Sequence, residues 1–267
     1  MANWSLSPTP LPGPARGGHP VVHVRARPRL VFFPADKINR NRNAGDTDGF
    51  WLGTIYVVLG GQVVANYAAC GGPKEGQPDQ GHSAGPTPPG HYTLGLRHHH
   101  VTLNWWPSCI PWGASIRRAE NGEVEFDDGN GWKPATGDGA PMNIALVRSR
   151  AIAMLPALAP EIVRRAARQA FAVDPTNPTS PLVTIWERND FGKWAFNLRC
   201  DGKSTPYYVH TTPTDEYATA HNLAFSLVQS HGCIHVRPDD RDKMMTEGYL
   251  AAGIHLEVKP YDAKGPP

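Results

Sequence analysis

The chain has 267 residues, 40% of them apolar, with 27 glycines, 27 prolines and a formal net charge of +2. That length can bury a core, that charge balance excludes a basic nucleic-acid binder, and that density of Gly and Pro favours short strands over a helix bundle. No run approaches the roughly eighteen apolar residues of a membrane span, and four cysteines are too few for a disulfide scaffold.

Residues 1–45 read as an extended Pro/Gly-rich arm followed by a first short apolar strand, RLVFFPA. The opening text, MANWSLSPTPLPGPARGGHP, has no basic segment leading into an apolar one and is broken by prolines, so it does not read as a signal peptide. FWLGTIYVVLGGQVVANYAACGG reads as two strands joined at Gly60-Gly61, a hairpin. A loop dense in Gly and Pro follows, and HYTLGL resumes as a strand. Residues 104–140 look irregular, with Trp105, Trp106 and Trp112 in NWWPSCIPWG and an acidic, glycine-rich EFDDGNGW. Indoles can stack on a glycan, although packing is their commoner use.

Helical periodicity is confined to residues 143–172. In PEIVRRAARQAF, Ile162, Val163, Ala166, Ala167, Ala170 and Phe171 share one face, while Arg164, Arg165 and Arg168 take the other. Strands return as LVTIWER, KWAFNLRC and PYYVHTT, then a short helix, DDRDKMMTEGYLAAG, and a closing strand, IHLEVKPY. The expectation is a mainly β fold with some α, of α+β type.

SHGCIHVRP, residues 230–238, sets Cys233 between His231 and His235. A thiol of ordinary pKa is mostly protonated at neutral pH and needs a base to act as a nucleophile. Residues beside it in sequence are poorly placed to take its proton. A histidine on a neighbouring strand is easier to aim, which favours His210 in PYYVHTT. Gly232 removes a side chain just before the cysteine and lets backbone N–H groups approach a developing oxyanion. Two other readings stand beside this one. On a flat strand, His231, Cys233 and His235 would share a face and could ligate zinc. Alternatively, Cys233 is a buried structural thiol. The run His98–His100 is read as an exposed strand end before a metal site.

The text from His210 to Ser230-His231-Gly232-Cys233 resembles the signature of the L,D-transpeptidases, the YkuD-like family of peptidoglycan enzymes, with positions 211–229 as a long spacer. ACGG, a glycine-rich loop and TPPGHY (residues 87–92), and the ending GYLAAGIHLEVKPY, resemble two further segments of that family in the same order. The resemblance implies a β-sandwich catalytic domain over residues 46–267, with residues 115–195 a helical insertion. It implies Cys233 as nucleophile and His210 as general base, the Thr211 backbone orienting the imidazole, His231, Gly232 and Cys233 shaping the oxyanion site, and Ser230 supporting that turn. The implied substrate is a peptidoglycan stem tetrapeptide, with no cofactor and no metal. The implied outcome is 3–3 cross-linking or D-amino-acid exchange, with L,D-carboxypeptidase trimming and a non-catalytic wall-binding module as alternatives.

The chain departs from the family's pattern at one place. Where the family usually carries Arg or Asn two residues after the cysteine, this chain has His235. Arg237 or His235 is the expected partner of a substrate carboxylate, and Tyr92 and Tyr208 are expected to line the cleft. The resemblance places the site of action in the periplasm or cell envelope. With no signal peptide in view, two expectations stand: a housekeeping wall enzyme whose signal has been removed, or an effector delivered to the periplasm, with a secretion-machine carrier and an immunity protein as its partners.

Overall fold

The computed structural model describes residues 26–35, 52–75, 77–79, 82–103, 108–137, 139–142, 184–223, 225, 227–263 and 265–266. In chain order the strands are β1 (Arg29–Phe33), β2 (Leu52–Leu59), β3 (Gln62–Cys70), β4 (Gln77–Asp79), β5 (His82–Ala84), β6 (Gly90–His98), β7 (Ile116–Arg118), β8 (Val124–Asp127), β9 (Trp132–Pro134), β10 (Thr136–Gly137), β11 (Ala140–Pro141), β12 (Ala195–Cys200), β13 (Lys203–His210), β14 (Ile234–Val236) and β15 (His255–Val258). Helix α1 spans Pro213–Ala220 and α2 spans Pro238–Thr246. No described helix is long and apolar enough to cross a membrane.

Eight strands close in the order β1-β15-β6-β12-β13-β14-β3-β2. The mainly β expectation holds, but the expected sandwich is instead a closed barrel. The closure is made by β1, which runs parallel to β15 through Leu30↔Leu256 and antiparallel to β2 through Val31↔Tyr56. With both of its edges paired, neither β1 nor the sheet it completes is left with an open side.

The alternation of side chains explains the core. Leu30, Phe32, Ile55, Val57, Leu94, Phe196, Leu198, Val209, Ile234 and Val236 point inward and are buried together, with Met244, Leu250 and Ile254 from α2 and the turn after it. The opposite faces of β1 and β2 are also apolar. Val31, Phe33, Tyr56 and Val58 form a second cluster under Ala263. That is why LGTIYVVL reads as an unbroken apolar run rather than an alternating one.

The hairpin at Gly60-Gly61, the strands near HYTLGL, KWAFNLRC and PYYVHTT, and α2 all form where the sequence predicts them. The described part of LVTIWER, residues 184–188, does not form a strand. It makes a single bridge, Ser115↔Ile185. Part of the stretch expected to be irregular forms the small sheet β7-β8-β9. The expected arm and the helix of residues 143–172, like Trp105 and Trp106, lie outside the described residues.

Candidate active site

Strands β13 and β14 run parallel, with Val209 opposite Ile234 and His210 opposite His235. Val209, Ile234 and Val236 face the core. Alternation therefore sends His210 and His235 to the outer face, with Tyr208 two steps back along β13 on the same side, while Cys233 stands in the bend one residue before β14. The rings of His210 and His235 meet edge to face at 4.6 Å. This face forms one wall of a cavity of about 660 Å³, into which Cys233, His210, His235, His231 and Ser230 all project.

His210 Nδ1 lies 2.8 Å from the Thr211 carbonyl oxygen. A carbonyl can only accept, so Nδ1 carries the proton and Nε2 keeps its lone pair. Thr211 is itself gripped. Its hydroxyl donates to Glu216 Oε1 at 2.6 Å and accepts from Arg241 Nη1 at 3.2 Å. Arg241, 1% exposed, pairs with Glu216, and the Lys193 N–H donates to the same carboxylate at 2.9 Å. One buried ion pair thus ties the end of β13 to α1 and α2.

The cysteine turn is built by segments far apart in the chain. The Ser230 N–H donates to the Gly71 carbonyl at 3.1 Å, and its hydroxyl donates to the Cys233 carbonyl at 2.5 Å. The Gly232 N–H donates back to Ser230 Oγ at 3.0 Å. Thr87 of the TPPG segment donates to the Cys233 carbonyl at 3.3 Å and accepts from the Gly72 N–H at 3.2 Å. Tyr261 donates to the Gly72 carbonyl. Gly232 has φ +115°, and a Cβ there would lie 2.6 Å from the Tyr207 ring. Only glycine meets both demands.

Burial dominates the electrostatics. It pushes the Cys233 thiol up to about 12, against a backbone contact from Tyr208 that lowers it. His210 is held well below the ordinary imidazole value by burial first and by His235 second. Burial lowers His235 to about 4, and its Nδ1 lies 2.9 Å from the Val228 carbonyl. Asp215, also on the cavity wall, is raised to about 7 by burial. Near neutral pH the thiol and both imidazoles are uncharged.

The site residues expected from sequence divide into three groups. Cys233, His210, His231, Ser230 and His235 meet at the cavity, while Gly232 and Thr211 stand behind it as supports. Tyr208 is half-buried beside it, against Phe191 and His100. Tyr92 and Arg237 are not among the described lining residues. Tyr92 is packed in the core and donates to the Pro88 carbonyl at 2.9 Å, and the Arg237 guanidinium lies over the Phe225 ring at 4.1 Å. Among the described residues no three His, Cys, Asp or Glu side chains assemble to hold a metal ion. All four cysteines are reduced thiols, Cys70 and Cys109 buried and Cys200 exposed.

The sequence of residues 53–246 matches the YkuD description, the L,D-transpeptidase catalytic domain. The chain belongs to the L,D-transpeptidase catalytic-domain family. Members of that family are cysteine-dependent L,D-transpeptidases that act on the peptidoglycan of the cell wall. No curated protein matches the chain.

Several residues of this L,D-transpeptidase domain escaped the sequence reading. Arg188, Asp190 and Phe191, from the stretch taken for an insertion, form part of the cavity wall. Nothing in their spacing marks them, because tertiary folding alone brings them there. Helix α1 did carry a signal. Thr212 caps it by accepting from the Asp215 N–H at 3.2 Å, with Pro213 next in the chain, so T-P-T-D is a cap followed by a proline and an acid in the first turn.

Proposed function

We propose that the domain transfers the acyl group of peptidoglycan stem tetrapeptides through Cys233. The observation that carries this reading is the cavity shared by His210, at the end of β13, and Cys233, just before the parallel strand β14, the imidazole oriented by Thr211. His210 Nε2 takes the thiol proton as sulfur attacks the carbonyl of the third stem residue, forming the S–C bond. The Cys233 N–H is assigned to the developing oxyanion, because the Gly232 N–H is already given to Ser230. The imidazolium then returns its proton to the nitrogen of the terminal D-alanine as the C–N bond breaks. The resulting thioester passes to an amine, giving a 3–3 cross-link or an exchanged D-amino acid, or to water, giving a trimmed tripeptide.

Incubation with tetrapeptide muropeptides and mass spectrometry of the products tests this reading. Release of D-alanine by the wild type and none by Cys233→Ala is the expected result. Dimers, exchanged tetrapeptides and tripeptides identify the acceptor. D-alanine release that survives Cys233→Ala removes the proposal.

A further inference from the structure

The cavity presents a charge problem. A stem tetrapeptide brings carboxylates, at its terminal D-alanine and on the side chain of a diamino-acid third residue. At the position two residues after the cysteine stands His235, a neutral ring whose Nδ1 faces the Val228 carbonyl. The other expected cation, Arg237, is stacked on Phe225 and salt-bridged to Asp239 at 3.5 Å. Among the described residues lining the cavity, Arg188 is the one permanent cation.

Arg188 is presented by a braced turn. It is 8% exposed and paired with Asp190. Between them, Asn189 is fully buried, and its side-chain amide donates to the His100 carbonyl at 2.6 Å and to the Ile110 carbonyl at 3.0 Å. The Asn189 side-chain oxygen accepts the Phe191 N–H at 3.0 Å, and Ser108 Oγ accepts the Asp190 N–H at 3.1 Å. A guanidinium held in one place, with its charge already matched to a carboxylate, is preorganised to receive another.

We propose that Arg188 is the carboxylate-binding residue of this site, taking a carboxylate of the stem peptide in exchange for, or alongside, Asp190. The inference rests on the acyl-transfer reading for its ligand but not for its test, which reads binding.

Cys233→Ala protein is titrated calorimetrically with a tetrapeptide whose third residue is diaminopimelate. Two analogues follow, one amidated at the terminal D-alanine and one at the side-chain carboxylate. One of the two amides is expected to bind on the order of 100-fold more weakly than the acid, which identifies the carboxylate read. Adding Arg188→Gln removes that preference, and Arg188→Lys restores part of it. Asp190→Asn moves the other way, tightening the acid by about threefold or more as its competitor loses charge. A purely structural role predicts instead that Asp190→Asn and Arg188→Gln both weaken acid and amide alike. The double variant Arg188→Gln/Asp190→Asn, neutral at both positions, guards against misfolding from an unpaired buried charge. Equal affinity for acid and both amides, a preference that survives Arg188→Gln, or no binding at all overturns the assignment. Wild-type protein that leaves the acid intact while Cys233→Ala binds it overturns the acyl-transfer reading and leaves Arg188 standing.

Discussion

A thiol raised to about 12 beside an imidazole held well below its usual value does not rest as an ion pair. Moving the proton from sulfur to nitrogen before substrate arrives runs against both displacements, and every pKa unit is worth about 1.4 kcal/mol. In the proposed reaction the proton therefore moves as the S–C bond forms. The free protein should be alkylated by iodoacetamide slowly near pH 7, with a rate that climbs roughly tenfold per pH unit and shows no plateau below about pH 10. His210→Gln should leave that alkylation rate nearly unchanged while lowering kcat by about 10²- to 10⁴-fold. A plateau near pH 7 that disappears in His210→Gln would show a resting thiolate–imidazolium pair and refute this account. At this scale the sequence was informative about chemistry and silent about electrostatics. Cys233, His210 and Gly232 could be singled out because their residue types suit the proposed reaction, whereas the burial that sets the protonation of the thiol and the imidazole belongs to the folded barrel.

Elements carry the second layer of the site. Helices α1 and α2 supply Glu216 and Arg241, whose ion pair holds the Thr211 hydroxyl and, through that residue's carbonyl, the ring of His210. In the proposed reaction Arg241 is thus a positioning residue. Arg241→Met should cost about 3–5 kcal/mol of stability, because it leaves Glu216 buried without its partner. It should also lower kcat at 20 °C by about tenfold or more with little change in KM, since the misplaced base is felt in the transition state. Arg241→Lys, which keeps the charge, should recover part of kcat. A variant that loses stability and keeps its full kcat would reduce the pair to a structural role. The cysteine turn depends on another close approach. A Cβ at Gly72 would lie 1.8 Å from the Gly85 carbonyl oxygen and 2.9 Å from the Gly232 nitrogen. Gly72→Ala should therefore abolish D-alanine release in protein that still melts cooperatively. Activity within twofold of wild type would contradict the cradle. The hairpin and α2 were legible because their turn and helix signals are local. The capping pattern of Thr212 and Asp215 was equally local and was overlooked. The strand-like text LVTIWER misled, because of its described apolar residues only Trp186 is buried, while Ile185 is largely exposed and makes a lone bridge rather than a ladder.

At the scale of the whole molecule, closure of the barrel was not legible, because it depends on β1 pairing with strands on either side of it, one of them more than two hundred residues away. Packing around that barrel buries titratable groups whose altered pKa values act on stability in opposite directions. His235 falls from 6.5 to about 4 on folding, so between those values the unfolded chain holds a proton that the folded chain does not, and stability rises with pH. His210, displaced the same way, adds to that acid limb. Asp215 rises from 3.8 to about 7, so in nearly the same window the folded chain holds the extra proton, and stability falls as pH rises. The two effects oppose each other, and removing either exposes its counterpart. Asp215→Asn, which leaves in place the backbone N–H that Thr212 Oγ1 accepts, should be more stable than wild type at pH 7–8 by a few kcal/mol, on the order of 1.4 kcal/mol for every pKa unit between the folded and unfolded carboxyl. That gain should vanish by pH 4, leaving a steeper acid limb. His235→Asn should do the reverse, recovering up to about 3 kcal/mol at pH 4 relative to its own value at pH 7. Urea midpoints at pH 4.5, 5.5, 7 and 8 read both differences, and variant curves running parallel to the wild type would show that neither group is desolvated in the folded barrel.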